Sequence, residues 1–339
     1  MTELIEMTSE QRRIFIDTEQ LYSAYRSAVD AASAYKGGMH WKKAKGKEYL
    51  FKSMDRFGNG RSLGPRSPRT EEIFSSFQAG KQKANDRLRH LKQRLNDQAR
   101  YVKAARIQRV PATLARILRV LDRENLLGKQ IKVIGTNALY AYESLAGVFF
   151  ERSMTATQDA DILWDIRPKL TLVTDQADNR LGFLNLIQKA DNSFEPLLPG
   201  GYRATNKDGY IVDLIKAEPR PPSKVEKTRM GGEDDLSAAE IRNLQWLLSS
   251  PTIKQTVLGE DGQPAIMAVP DPRSYAIHKM WLSRQFDRDP LKKHRDEEQA
   301  IVVVQLISRY LPQYQLNPTD LKMFPKSVVA ECLHRIGSE

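Results

Sequence analysis

Apolar positions recur at helical spacing through Ile14, Leu21, Tyr25, Ala28, Val29 and Ala32. Thr8 and Gln11 stand ahead of that run at the spacing of a capping box, and Gly37-Gly38 ends it, so the pattern predicts a first helix between them. From Met39 to Gly64 the texture changes to short, β-branch-poor aromatic runs broken by Gly46, Gly58 and Gly60, which predicts a small hairpin or meander. Pro65 to Thr70 reads as a turn in which Thr70 caps a long helix. Its apolar stripe runs through Ile73, Phe77, Leu88, Leu91, Leu95 and Val102, and its other face, from Lys81 to Arg106, is basic. Pro111 interrupts, and a further helix with Leu114, Ile117, Leu118 and Leu121 runs to Leu127-Gly128.

After Gly128 the periodicity alternates between strand and helix. It predicts a strand over Ile131–Ile134, a helix from Asn137 to about Leu145, a strand over Ala160–Trp164, a helix over Leu181–Ala190 and a strand near Phe194–Leu198. A hairpin follows from Tyr202 to Ile215, turning at Lys207-Asp208-Gly209. Pro219 to Gly232 is a polar connection, and helices dominate from Ser237 onward. The expected class is α+β: one mixed sheet with flanking helices, a helical N-terminal extension and a helical C-terminal region. The expected domains are 1–127, helical and basic with a small β element, 128–220, carrying the mixed sheet, and 221–339, mainly helical.

Hydrophobic residues make up 40% of the 339, enough to build cores and too many for a disordered chain. No apolar stretch approaches the roughly 20 residues a bilayer span needs, and the polar start, Met1 to Arg13, lacks the order of a secretory signal. The single cysteine, Cys332, excludes an intrachain disulfide or thiolate cluster and reads as a small core residue. Together these predict a cytoplasmic protein with no membrane partner. The net charge of +11 favours polyanions, and it is concentrated: between Lys36 and Arg69 ten basic residues stand against two acids, Glu48 and Asp55. That stretch is interleaved with His40, Trp41, Tyr49, Phe51 and Phe57. It reads as a nucleic-acid surface pairing phosphate contact with base stacking, or as an aromatic-cored module with a positive exterior.

The chemistry concentrates in Asp159-Ala160-Asp161-Ile162-Leu163-Trp164. On a strand Asp159 and Asp161 share one face, where two carboxylates repel unless a positive group sits between them. Mg²⁺ meets that need, since it takes one or two carboxylates together with substrate phosphates. Asp213 interrupts the apolar run Tyr210–Ile215 and, buried there, requires a partner: a metal or a polarised hydroxyl. Gly135, Thr136 and Asn137 end a strand and open a helix, where backbone amides and a hydroxyl can hold phosphate, although Gly135 reads equally as a turn residue and Asn137 as a cap.

In this order the glycine turn, the acid-x-acid strand and the third acid resemble the polymerase-beta-like nucleotidyltransferase superfamily. The resemblance spans about Ile131 to Ile215, with further support as far as Asp296. More narrowly the chain resembles a bacterial nucleotidyltransferase-fold family with a helical, basic N-terminal extension, related to abortive-infection toxin nucleotidyltransferases. Gly64-Pro65-Arg66-Ser67, Arg109-Val110-Pro111, Gly135-Thr136-Asn137, Thr157-x-Asp159-x-Asp161, Val269-Pro270-x-Pro272 followed by His278-Lys279, and Lys293-x-x-Asp296 carry that narrower likeness. Thr136 departs from the usual serine or second glycine, and the distance from Gly135 to Asp159 is longer than the pattern.

The resemblance implies Asp159, Asp161 and Asp213 as catalytic, Mg²⁺-binding carboxylates and an NTP substrate. Gly135, Thr136, Asn137, Lys279, Arg284 and Lys293 are the expected nucleotide contacts. The last three lie in a charge-rich helical region and read equally as a solvated face. His278, His294, Trp246 and Trp281 read as packing or surface residues. RNA, such as a tRNA end, is the expected acceptor through the 36–69 region, with a role as toxin or defence factor and an antitoxin partner in view. A protein or small-molecule acceptor, or a catalytically silent nucleic-acid-binding scaffold, are the alternatives.

Overall fold

The computed structural model describes residues 4–55, 58–167, 182–221, 223 and 225–337. Arg56, Phe57 and Leu181 lie outside the described residues. The chain divides into two compact units, one formed by Met1–Arg12 with Ile107–Glu339 and the other by Arg13–Arg106.

Strand β1 (Ile5–Glu6) leads into helix α1 (Ser9–Ser33), whose entry is the expected capping box: Thr8 N–H donates to Gln11 Oε1 at 3.0 Å and Gln11 N–H to Thr8 Oγ1 at 3.2 Å. The Met39–Gly64 stretch is a three-stranded antiparallel meander of β2 (Gly38–Ala44), β3 (Lys47–Ser53) and β4 (Gly60–Pro65). Helix α2 (Pro68–Ala104) is capped by Ser67, not by Thr70: Thr70 is its third residue and returns its hydroxyl to the Ser67 amide at 2.9 Å. The proline at the first helical position explains the shift, because its missing N–H and fixed φ suit the start of a helix. Leu50 is fully buried, and the Trp41 and Phe74 ring centroids lie 5.8 Å apart, so one face of the meander packs on α2.

In the other unit, α3 (Ala112–Arg123) precedes a six-stranded mixed sheet. Its strands are β5 (Ile131–Ile134), β7 (Asp159–Trp164), β10 (Ile211–Ala217), β9 (Arg203–Thr205) and β8 (Glu195–Pro196) in that order, with β11 (Ala239–Ile241) on the second half of β10. Between β5 and β7 come a single 3-10 turn (Gly135–Ala138), helix α4 (Leu139–Ala146), β6 (Val148–Phe149), paired with β1, and the short helix α5 (Arg152–Thr155). Helix α6 (Phe183–Ala190) precedes β8. The expected strand over Phe194–Leu198 shrinks to two residues, Glu195–Pro196, paired with Thr205 and Ala204 of β9.

Beyond Ser237 the chain contains α7 (Gln245–Ser249) and then a hairpin absent from the helical expectation, β12 (Thr252–Leu258) with β13 (Pro264–Pro270). Every residue of β13 is buried, so its sequence shows no alternation, and a short apolar run of that kind is silent about helix or strand. Helices α8 (Pro272–Ser283), α9 (Pro290–Tyr310) and α10 (Lys326–Gly337) complete the chain. Trp246, Ile277, Met280, Ala300, Phe324 and Cys332 form one core there, with Trp281 packed against it. Among the described residues no helix is long and apolar enough to cross a membrane.

Candidate active site

The site is set by strand register. β7 and β10 run parallel with Asp161 opposite Asp213, β5 places Ile134 beside Asp161, and β9 places Arg203 beside Asp213. These four residues form one row on one face of the sheet. Asp159, two residues before Asp161, shares that face, whereas Ala160, Ile162, Val212 and Leu214 are fully buried on the other. The Asp159 carboxylate accepts a hydrogen bond from Thr157 Oγ1.

Gly135 closes the row's end. Its φ of 65° is left-handed, and a Cβ there would overlap the Asp161 carboxylate, so only glycine lets the chain turn this closely over the acid. In the turn that follows, the Asn137 amide donates to the Asp159 main-chain carbonyl at 2.6 Å, and the Thr136 hydroxyl accepts from Gln299 Nε2 at 3.2 Å.

Burial and then the neighbouring Asp159 charge push the Asp161 carboxyl up to about 6; Lys279 opposes them, and Asp213 adds a smaller push. Lys279, itself lowered by burial, donates to Asp296 Oδ1 at 2.6 Å, and Arg288 donates to Asp296 Oδ2 from Nε at 2.8 Å and Nη2 at 2.7 Å. One buried carboxylate thus holds two cations in place.

Two adjoining cavities open on this row. The smaller, about 190 Å³, is lined by Gly135, Thr136, Thr157 and four acids, Asp159, Asp161, Asp213 and Asp296, together with five cations, Arg203, Lys279, Arg288, Lys292 and Arg295. The larger, about 430 Å³, shares Asp161, Asp213 and Lys279 but is walled by Ile215, Ile241, Leu244, Leu247 and Leu282, with Tyr202 and His278. His278 is buried and lowered to about 3 by that burial, so its imidazole is neutral.

Of the residues singled out from sequence, Asp159, Asp161, Asp213, Gly135, Thr136 and Lys279 come together at the smaller cavity. Asn137 is buried behind it, bound to β7. Arg284 and Lys293 line neither cavity, and Arg284 instead pairs with Glu331 at 2.9 Å. Helical geometry is the reason: Tyr275, His278, Lys279 and Leu282 share the cavity face of α8, which a residue at 284 leaves, and Lys292 and Arg295 share the cavity face of α9, which 293 leaves.

Asp213, for which the sequence suggested a metal or a hydroxyl, has Arg203 as a side-chain partner. Both its oxygens accept from Arg203, from Nε at 2.7 Å and Nη2 at 2.6 Å, a bidentate guanidinium pair. Among the described residues no three acid, imidazole or thiol side chains stand close enough together to hold a metal as arranged. The Asp159/Asp161 pair nevertheless fits a divalent cation. Both acids share one face, and Asp161 is raised by burial and then by its neighbour's like charge, a repulsion that a divalent cation between the two would offset.

A mixed sheet presenting an acid-x-acid strand beside a third acid, under a glycine turn and a cationic helical wall, defines a nucleotidyltransferase fold. A nucleotidyltransferase family model matches residues 112–323, more than half of the chain, and the chain belongs to that family. The protein is therefore a nucleotidyltransferase. A solved structure, that of an antigenic nucleotidyltransferase-like protein from Paracoccidioides brasiliensis, is similar at 14% identity over 62% of this chain and 92% of that one, with a TM-score of 0.31. No curated protein sequence matches the chain.

Proposed function

We propose that the protein transfers a nucleoside monophosphate from an NTP to a hydroxyl of RNA, with Mg²⁺ held by Asp159 and Asp161. The observation that carries the reading is the row Asp161–Asp213–Arg203, with Asp159 on the same face and five cations around one small cavity. With four acids against five cations the fully ionised lining sums to +1, and a divalent ion raises it to +3, a match for a triphosphate.

When bound, the metal supplies charge neutralisation at the phosphoryl oxygens. The chain's own groups do the rest. Lys279 and Arg288, fixed by Asp296, offer a point charge and a fork to the phosphates. The Thr136 hydroxyl, already accepting from Gln299, has its proton left to donate. Asp213 is the acceptor of the nucleophile's proton, a role open to it only when Arg203 turns from it to a phosphate, because Arg203 occupies both its oxygens. Gly135 keeps the approach to Asp161 open. The larger apolar cavity, contiguous with the acids, suits the flat, apolar faces of a nucleobase.

Support for RNA as acceptor is the basic 36–69 stretch, with ten basic residues against two acids. The test is incubation of the purified protein with α-labelled NTPs, Mg²⁺ and total RNA. Label entering RNA is expected; incorporation no greater than that of an Asp159→Ala/Asp161→Ala double variant would reject the reading.

A further inference from the structure

The 36–69 meander has two faces of opposite character. Alternation along β2 and β3, with the register Met39 to Lys52, Trp41 to Leu50 and Lys43 to Glu48, puts these residues on the face that packs on α2. That face holds the buried Leu50 and the Trp41–Phe74 contact, and also the acid of the sheet: Glu48 is bound there by Arg66 at 2.6 Å. The other acid of the stretch, Asp55, lies in the turn after β3 and accepts the Asn59 amide at 3.0 Å.

The opposite face carries His40, Lys42, Lys47, Tyr49 and Phe51, paired His40 to Phe51 and Lys42 to Tyr49, with Ser62 beside Phe51 on β4. Tyr49 and Phe51 sit on the central strand and are half-buried, while His40, Lys42 and Lys47 are exposed. No acidic residue lies on this face, and neither Lys42 nor Lys47 has an acidic partner among the described residues. The Lys42 ammonium rests 3.7 Å from the centre of the Phe51 ring.

We propose that this open sheet face binds single-stranded RNA, its bases stacking on Tyr49 and Phe51 and its phosphates paired with Lys42 and Lys47. The inference rests on the reading of RNA as acceptor and specifies how the chain would hold it. A three-stranded sheet with adjacent aromatic rings at its centre offers flat platforms at the pleat spacing, and every base has a π-face to set on them. Duplex RNA keeps its bases stacked internally and has no face to offer. Lys42 is the element of exchange. An exposed ammonium over a ring is worth roughly 2- to 5-fold in an equilibrium. A stacked base is worth about 5- to 150-fold, so a base displaces the ammonium, which then meets the adjoining phosphate. Charge decides the occupant: the lysines beside the aromatic centre, Lys42 and Lys47, face no acid on this side of the sheet, which fits a polyanion with exposed aromatic rings.

The test uses the full chain without NTP or metal, and reads the anisotropy of a labelled 12-nucleotide single-stranded RNA across a salt series. A Tyr49→Leu/Phe51→Leu double variant, with an unfolding midpoint close to wild type, is expected to weaken binding at least 10-fold and leave the salt slope unchanged. Lys42→Gln/Lys47→Gln is expected to reduce the slope by about 1.4, since each single-strand phosphate contact contributes about 0.7. Double-stranded RNA or anionic phosphatidylserine vesicles binding as tightly as the single strand, or single-strand binding indifferent to the Leu pair, would overturn the proposal. His40→Ala, at an exposed position, is the second variant should the Leu pair unfold; an affinity as tight as wild type in it also counts against the face. RNA bound on this face yet never labelled would reject the catalytic reading alone. RNA labelled at the wild-type rate by the Leu pair would reject this one alone.

Discussion

Replacing Gly135 by alanine separates backbone strain from damage to the carboxylate row. Gly135 and Gly147 share nearly the same left-handed backbone, with φ of 65° and 66°. An L-residue in that region costs about 1–2 kcal/mol, partly offset by the roughly 0.4–1 kcal/mol that alanine gains by restricting the unfolded chain. Gly147→Ala meets only the Arg12 Nε at 3.9 Å, an ordinary contact, so its loss is that backbone difference, about 1 kcal/mol. Gly135→Ala carries the same difference and in addition drives its methyl into Asp161, whose carboxylate must move by roughly an ångström, a displacement that typically costs about 10²-fold in rate. Urea unfolding and incorporation of labelled nucleotide, measured on both variants, form the assay. The expected result is Gly147→Ala with near wild-type transfer and Gly135→Ala with transfer lowered about 100-fold at a similar or moderately larger stability loss. Equal transfer in both variants would refute the idea that Gly135 exists to let the chain pass over Asp161.

Other outcomes follow from the buried charges. His278 has a folded pKa of about 3 against 6.5 for the free side chain, so the unfolded chain binds the proton first and stability falls as pH drops through that window. Between pH 6.5 and 4.5 its share of that fall is about 2 kcal/mol, and His278→Gln should flatten the urea-midpoint profile there; an unchanged profile would place the acid sensitivity elsewhere. Glu143, buried, accepts from Arg109 at 2.8 Å and from the Phe150 amide at 2.8 Å. Glu143→Ala leaves that guanidinium without its carboxylate and should cost about 3–5 kcal/mol in denaturant unfolding, a loss under 1 kcal/mol being inconsistent with a pair this deeply placed. Asp296→Asn removes the anion that fixes Lys279 and Arg288; it should raise the KM for NTP more than it lowers kcat, and an effect on kcat alone would mean that the two cations do not meet the ground-state phosphates.

Much of this arrangement was legible in the chain. Periodicity located the first and second helices, the meander, the acid-x-acid strand and the hairpin at 207–209, because each pairs a clear repeat with turn or capping residues. The hairpin β12–β13 escaped because its second strand is buried on both faces and carries no alternation. Arg203 escaped although a signal existed. A hairpin centred on Asp208 pairs residues equidistant from the centre, and Arg203 and Asp213 are each five removed from it. Arg288, Lys292 and Arg295 line the cavity where Arg284 and Lys293 do not, a distinction that positive charge alone does not make; here the cavity face is fixed by Tyr275, His278 and Lys279 on α8.

Calorimetric titration of NTP with and without Mg²⁺ tests the central claim most directly, comparing wild type with Asp161→Asn and with Asp165→Asn, whose carboxylate pairs with Arg167 at 2.7 Å away from the cavity. The account predicts Mg²⁺-dependent nucleotide binding in wild type and Asp165→Asn, and loss of the metal dependence in Asp161→Asn. Binding that is equally indifferent to Mg²⁺ in all three proteins would contradict it.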